Sequence, residues 1–110
     1  MSNYYELKLD LAGHTVILFR SEYRPHIAGG CGRELKVWTA MVTLALRPDL
    51  GETLQVGMGD TQELALDALG RTLTTVARTL EDIDNTNAQV QQHYYLATAC
   101  IEAGRHNISC

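Results

Sequence analysis

The sequence predicts an α+β fold, in which an antiparallel sheet of about four strands (ββββ) is followed by two C-terminal helices packed on one face of the sheet. Apolar and polar residues alternate through much of the first half of the chain, and most connections between these stretches are short. From residue 61 onward, apolar residues recur every three or four positions. The 110 residues, 45% of them hydrophobic, suffice for one core. We expect a single domain over residues 1–110, with the sheet at about 4–58 and helices at about 61–83 and 86–103.

The first two strands are predicted to form a hairpin. The stretch YYELKLDL places Tyr5, Leu7, Leu9 and Leu11 on one face and Tyr4, Glu6, Lys8 and Asp10 on the other. A short turn at residues 12–14 leads into TVILFRSEY, whose β-branched and aromatic residues predict a strand inside the sheet. The stretch RPHIAGGCGR at residues 24–33 combines a proline with three glycines, which predicts an irregular connection.

The third and fourth strands are predicted from the same alternation of side chains between two faces. ELKVWTAMVTLAL predicts a long strand with Trp38, Ala40, Val42, Leu44 and Leu46 on one face and Thr39 and Thr43 on the other. Pro48 should end this strand, because proline cannot donate to the ladder. TLQVGM then predicts a fourth strand with Leu54, Val56 and Met58 facing the core.

Two capped helices are predicted after the sheet. Asp60, with Glu63 three residues later, is typical of a helix start, where carboxylates can accept from free amides. An apolar stripe then predicts a helix lying across the sheet in preference to an intermolecular coiled coil, and Gly70 within it predicts close packing. Asn85 or Thr86 can cap the second helix, and Gly104 can end it. The stripe of the first helix is Leu66, Leu69, Leu73, Val76, Leu80 and Ile83, and that of the second is Val90, Tyr94, Ala97 and Ile101.

Charge is distributed unevenly along the chain. Residues 1–48 carry six basic and four acidic side chains, whereas residues 49–84 carry two basic and eight acidic ones, a net −6 within a total of −4. The basic cluster Arg20, Arg24, Arg33 and Lys36 is interrupted by Glu22 and Glu34, so we expect no direct binding of nucleic acid. The acidic segment instead predicts attraction to a basic protein surface, and an ordinary solvated helix face is the alternative.

No pattern in the sequence predicts a catalytic, metal or cofactor site. His93, Cys100, His106 and Cys110 are separated by six, five and three residues, spacings that match no established ligand motif, and Cys100 is expected to pack as a small hydrophobic residue. Cys31 could act as a nucleophile only with a nearby base such as His26, which the sequence does not establish. We therefore expect a protein that is not an enzyme.

The stretch RPDLGETLQVGMGDTQELALDAL resembles the core of HicB-type antitoxins, which place a Gly-Asp-Thr helix start after a sheet. The resemblance covers about a quarter of the chain and extends to Asp49, Gly59, Asp60, Thr61 and Glu63. No helix-turn-helix or ribbon-helix-helix follows this core, and the Pro-Gly-Cys that often follows PDL in the family is missing. The resemblance implies an antitoxin that sequesters a small basic ribonuclease, without operator binding.

In size, acidity and element order the chain also resembles small phage and mobile-element proteins, including several anti-CRISPR proteins. This resemblance implies an inhibitor that blocks an RNA-guided effector complex sterically and by acidic mimicry of nucleic acid. The expected partner-binding residues are Asp60, Glu63, Asp67, Glu81, Asp82 and Asp84. Of the two functions, the sequence favours the anti-CRISPR-like inhibitor.

Two further expectations concern location and assembly. The amino terminus has neither a basic start nor a continuous apolar run, and no stretch approaches the roughly 18 apolar residues of a spanning helix, which predicts a soluble protein in the cytoplasm of a bacterial host. A homodimer through a sheet edge or through the leucine stripe is left open.

Overall fold

A four-stranded antiparallel meander forms one layer of the molecule and two helices form the other. The computed structural model describes residues 5–23 and 35–105. Its elements are β1 (Tyr5–Leu11), β2 (His14–Tyr23), β3 (Leu35–Ala45), β4 (Glu52–Gly59), α1 (Gln62–Ile83) and α2 (Ala88–Arg105). The strand order is β1-β2-β3-β4. The predicted fold class is confirmed. Residues 24–33, which are predicted to form an irregular connection, lie outside the described residues.

The hairpin between β1 and β2 closes through a tight two-residue turn. Ala12 and Gly13 have φ angles of 49° and 80°. Positive φ at both central positions is the signature of a type I′ turn, whose twist matches that of the flanking strands. The turn sets the register in which Leu9 pairs with Val16 and Leu7 with Leu18.

The core lies between the sheet and the helices. α1 lies over β3 and β4, and α2 packs along α1 and reaches β1. The interior position predicted for β2 is confirmed, since Val16 and Leu18 are fully buried. Leu9 and Leu11 pack against the core as predicted, whereas Leu7 at its margin is 43% exposed. The central residues of the core are Val16, Leu18, Ala40, Val42, Leu44, Ala65, Leu66, Leu69, Leu73, Leu96, Ala97 and Cys100.

The predicted orientation of β4 is wrong. Leu54, Val56 and Met58 are 50%, 42% and 62% exposed and point away from the helices. The face toward α1 carries Gly57 and Gly59 instead. A Cβ atom at Gly57 would lie 2.7 Å from the carbonyl oxygen of Ala65 and would overlap the backbone nitrogen of Leu69. Because the backbone of α1 rests directly on this strand at Gly57 and Gly59, no side chain fits at these two positions, and the large apolar side chains lie on the opposite face.

The stripe of α1 is buried for most of its length, as a helix lying across a sheet requires. Leu66, Leu69, Leu73 and Leu80 are buried and Val76 is half-buried, but Ile83 at the last turn is 76% exposed. The close packing predicted at Gly70 is confirmed. A Cβ there would lie 2.5 Å from Cγ1 of Ile101 and 2.9 Å from the carbonyl oxygen of Ala97, both in α2.

Both helix starts differ by a residue or more from the prediction. Thr61, and not Asp60, is the N-cap of α1, and its hydroxyl accepts a hydrogen bond from the amide of Leu64 at 3.1 Å. Glu63 is consequently one residue short of the capping-box position. At α2 the side chain of Asn87 accepts from the amide of Gln89 at 3.0 Å, in place of Asn85 or Thr86. Helix α2 extends one residue beyond Gly104, to Arg105.

Candidate partner-binding surface

The structure divides the six predicted acidic residues into two groups. Asp60, Glu63 and Asp67 lie at the start of α1, and Glu81, Asp82 and Asp84 lie at its end. Glu63 and Glu81 are 18 positions apart, which at a rise of about 1.5 Å per residue separates the groups by roughly 27 Å. The structure therefore places the six predicted residues on two acidic surfaces, one at each end of α1.

The N-terminal acidic group, Asp60, Glu63 and Asp67, is partly engaged in contacts within the molecule. Asp67 forms an ion pair with Arg71, with 2.9 Å between carboxylate and guanidinium, while Asp60 is exposed. A shallow cleft of about 200 Å³ lies beside the group, lined by Glu63, Leu64, Asp67, Ile101, Gly104 and Arg105. The side chain of Leu64 is 53% exposed there. The group therefore combines acidic and apolar surface, and one of its three carboxylates, that of Asp67, is paired within α1.

The C-terminal acidic group, Glu81, Asp82 and Asp84, is exposed throughout. Thr86 donates to the Asp84 carboxylate through its hydroxyl at 2.6 Å and its amide at 3.0 Å, and these bonds lower the pKa of Asp84. Tyr94 donates to Glu81 at 3.3 Å, and loss of solvent contact together with the nearby carboxylate raises the pKa of Tyr94. Asp84 therefore keeps its negative charge to a lower pH than an ordinary aspartate does.

A second cleft lies next to the C-terminal acidic group, where the β3–β4 turn meets the end of α1. It has a volume of about 370 Å³ and is lined by Leu46, Arg47, Leu50, Leu80, Ile83, Asp84 and Asn87. Arg47 pairs with Asp49 at 3.2 Å, and Asn87 donates to the carbonyl of Leu46 at 2.8 Å, which ties α2 to the sheet. The lining is largely apolar, and its charged members are Asp84 and Arg47. A long basic side chain has an apolar stem and a charged head, which suit the apolar lining and Asp84.

Sequence reasoning missed a third surface, the face of the sheet opposite the helices. Its apolar residues are Ile17 and Phe19 on β2, Val37 and Met41 on β3, and Leu54, Val56 and Met58 on β4; we refer to these as the apolar outer face. Thr39 lies among them and is buried even though no described helix covers this side. The signal was present in the sequence, since Gly57 and Gly59 alternate with Val56 and Met58.

The histidine and cysteine side chains within the described residues do not form a reactive constellation. Cys100 is buried in the core, and burial raises the pKa of its thiol to about 12, as expected for a packing residue. His93 is buried in α2, with its Nδ1 atom 2.7 Å from the carbonyl oxygen of Gln89. No group of three or more metal-binding side chains is placed to hold an ion in residues 5–23 and 35–105. The candidates Cys31, His26, His106 and Cys110 lie outside the described residues.

Fold and surface together define an α+β protein with a single helical layer, acidic ends on α1 and an apolar outer sheet face. No protein-family model, curated protein or solved structure matches the chain. Neither helix of the described segments has the length and apolar character needed to cross a membrane.

Proposed function

We propose that the protein is a non-enzymatic inhibitor that binds another protein through the acidic ends of α1, in the manner of an anti-CRISPR protein blocking an RNA-guided effector complex. The observation that supports this proposal is the exposure of Asp60, Glu81, Asp82 and Asp84 at the two ends of one 22-residue helix. A rigid helix holds the two charged groups at a fixed spacing of roughly 27 Å. A basic groove that normally holds nucleic acid offers positive charge over such a distance.

The mechanism is steric and electrostatic. Carboxylates at both ends of α1 replace phosphates in the groove, and the body of the domain blocks access to it. Fixed charges that approach a basic groove accelerate association and lose much of this effect when salt shortens the screening length to about 8 Å at physiological ionic strength. The apolar clefts beside each acidic group add contacts that salt does not weaken.

Binding to a purified RNA-guided effector complex, measured at low and moderate salt, tests this proposal. The triple variant Asp60→Asn, Glu81→Gln, Asp82→Asn removes three exposed charges from α1. The control variant Asp10→Asn, Glu52→Gln, Glu102→Gln removes the same charge from other exposed positions. We expect the first to weaken binding at least about tenfold and to flatten its salt dependence, with little effect of the second. Equal affinities of the two triple variants would contradict the proposal.

A HicB-like antitoxin is the second candidate, and the observation that favours it is the position of β4. This strand is an edge of the sheet, pairs with β3 without interruption, and contains neither lysine nor proline to discourage a further strand. A small basic ribonuclease could add a strand there while contacting the nearby acidic groups. Inhibition of such a ribonuclease by the purified protein, together with no binding to effector complexes, would favour this candidate.

A further inference from the structure

We infer that the apolar outer face is a dimer interface, in which two copies of this chain stack sheet on sheet with their helices outside. The register places the residues of this face in rows across the sheet. One row is Glu6, Phe19, Thr39 and Met58, and the next is Lys8, Ile17, Met41 and Val56. Beyond them Asp10 pairs with Thr15, and Thr43 pairs with Leu54. The apolar members therefore form one continuous patch centred on β2, β3 and β4.

The patch is exposed mainly along β4. Leu54, Val56 and Met58 are each more than two-fifths exposed, and in the described part of the chain both helices lie on the opposite side. Three such side chains together with the half-buried ones beside them expose on the order of 300 Å² or more, the size of the largest apolar patch on a typical monomer, which is often a functional one. Burial against a second apolar surface would stabilise the complex in proportion to this area.

The dimensions of the face fit a second copy. Four strands at about 4.8 Å and seven residues at about 3.4 Å give a flat area of about 19 by 24 Å. The flat area is thus about 460 Å². Side chains that stand up from the plane add to it, toward the roughly 800 Å² per partner of a stable interface. A twisted sheet is complemented by another sheet of the same twist, packed about 10 Å away with strands within about 30° of parallel. A second copy of this chain supplies a face of the same width and length.

The charges on the outer face also permit self-association. Its central strands carry no charge. The charged residues lie on the two edge strands: Glu6, Lys8 and Asp10 on β1, which include both signs, and Glu52 at the start of β4. A two-fold axis parallel to the strands places β1 of one copy over β4 of the other, so that Glu6, Lys8 and Asp10 lie over Met58, Val56 and Leu54. The carboxylate of Glu52 then lies one row beyond Asp10, at the margin of the patch. The stem of Lys8 can then cover the apolar side chain of Val56 in the second copy. A strongly basic partner, in contrast, would be drawn to α1.

Such a dimer would have four layers, helices, sheet, sheet and helices, with the acidic ends of α1 exposed on both outer surfaces. The inference does not depend on the proposed function, because the acidic residues of α1 lie on the other side of the sheet. If both hold, the protein presents two identical acidic surfaces that face in opposite directions. One dimer would then engage two partner molecules.

Sedimentation and light scattering over a range of protein concentrations, with reductant present to prevent disulfide-linked dimers, test the inference. We expect the wild-type protein at twice the 12.2 kDa chain mass, the variant Val56→Lys as a folded monomer, and the milder Met58→Gln as a dimer weakened at least about tenfold. Ile83→Lys is the matched control, because Ile83 is equally apolar and 76% exposed but lies on α1; it should remain dimeric. A wild-type monomer at every concentration, or a dimer that neither Val56→Lys nor Met58→Gln weakens, would overturn the inference.

Discussion

Replacing Gly57 with alanine should destabilise the fold far more than a one-carbon change in a strand usually does. The added Cβ would lie 2.7 Å from the carbonyl oxygen of Ala65 and from the carbonyl carbon of Ala68, and would overlap the amide nitrogen of Leu69. All three obstacles are backbone atoms of α1, so no rotamer change relieves the overlap. The helix must move away from β4, and that movement opens the core around Leu66 and Leu69.

The expected loss in the free energy of unfolding can be taken from other cores to which carbon atoms have been added. Added carbon atoms in a well-packed core cost about 1 to 3 kcal/mol, and the upper end applies at Gly57 because a whole helix has to shift. A loss of about 3 kcal/mol lowers the Tm of a domain of this size by about 12 °C. Calorimetry and urea denaturation measure the two quantities independently.

Gly51→Ala is the matched control for this prediction. Gly51 lies in the turn before β4, where an added Cβ meets nothing within 4 Å. Its replacement should change the free energy of unfolding by no more than about 0.5 kcal/mol, and the lower entropy of the unfolded chain favours a small gain. If Gly57→Ala and Gly51→Ala were equally stable, the contact between α1 and β4 would not have the geometry described.

Three further predictions concern local features of the fold. Thr61→Ala removes the hydroxyl that accepts from the amide of Leu64 and should cost about 1 kcal/mol in urea denaturation, whereas Thr61→Ser should cost much less. Ala12→Asn should raise Tm, because Asn tolerates the positive φ of a type I′ turn before Gly13 better than alanine does; a lower Tm would argue against that turn. Because burial raises the pKa of Cys100 from 9.0 to about 12, the unfolded chain loses its thiol proton first, and between these pH values stability should fall by up to about 1.4 kcal/mol per pH unit. Below pH 9 the thiol is protonated in both states and none of this stability is lost. Cys100→Ala should remove the part of the fall in stability between pH 9 and 12 that is due to this thiol.

The fold could be predicted from the sequence wherever large apolar side chains point toward the helices. Ala40, Val42 and Leu44 on β3 were expected on one face with Trp38, opposite Thr39 and Thr43, and they are buried as expected. The same rule failed on β4 because it assumes that the apolar face of a strand is the covered one. That assumption does not hold when a helix approaches the strand so closely that only glycine fits, as at Gly57.

The helix starts show a different limit of sequence reasoning. Asp60 and Thr61 are both good N-cap residues, and the choice between them depends on backbone geometry. Thr61 has the extended φ and ψ of −130° and 165° that an N-cap requires. The division of the acidic residues follows from the length of α1, since a helix of 22 residues holds its two ends far apart. The net charge of residues 49–84 does not reveal this, because it carries no information on distance.

The apolar side chains of β4 have a second explanation, which one substitution separates from dimerisation. Gly57 and Gly59 lower the strand propensity of β4, so Val56 between Gln55 and Gly57 could serve mainly to keep the strand extended. Val56→Thr retains the β-branched shape and the strand propensity but replaces a methyl group with a hydroxyl. At concentrations where the chain is monomeric, this variant should change the free energy of unfolding by less than about 0.5 kcal/mol. Its self-association should nevertheless weaken, because the hydroxyl would be buried without a partner between the sheets. A loss of monomer stability with unchanged self-association would instead show that Val56 serves its own strand.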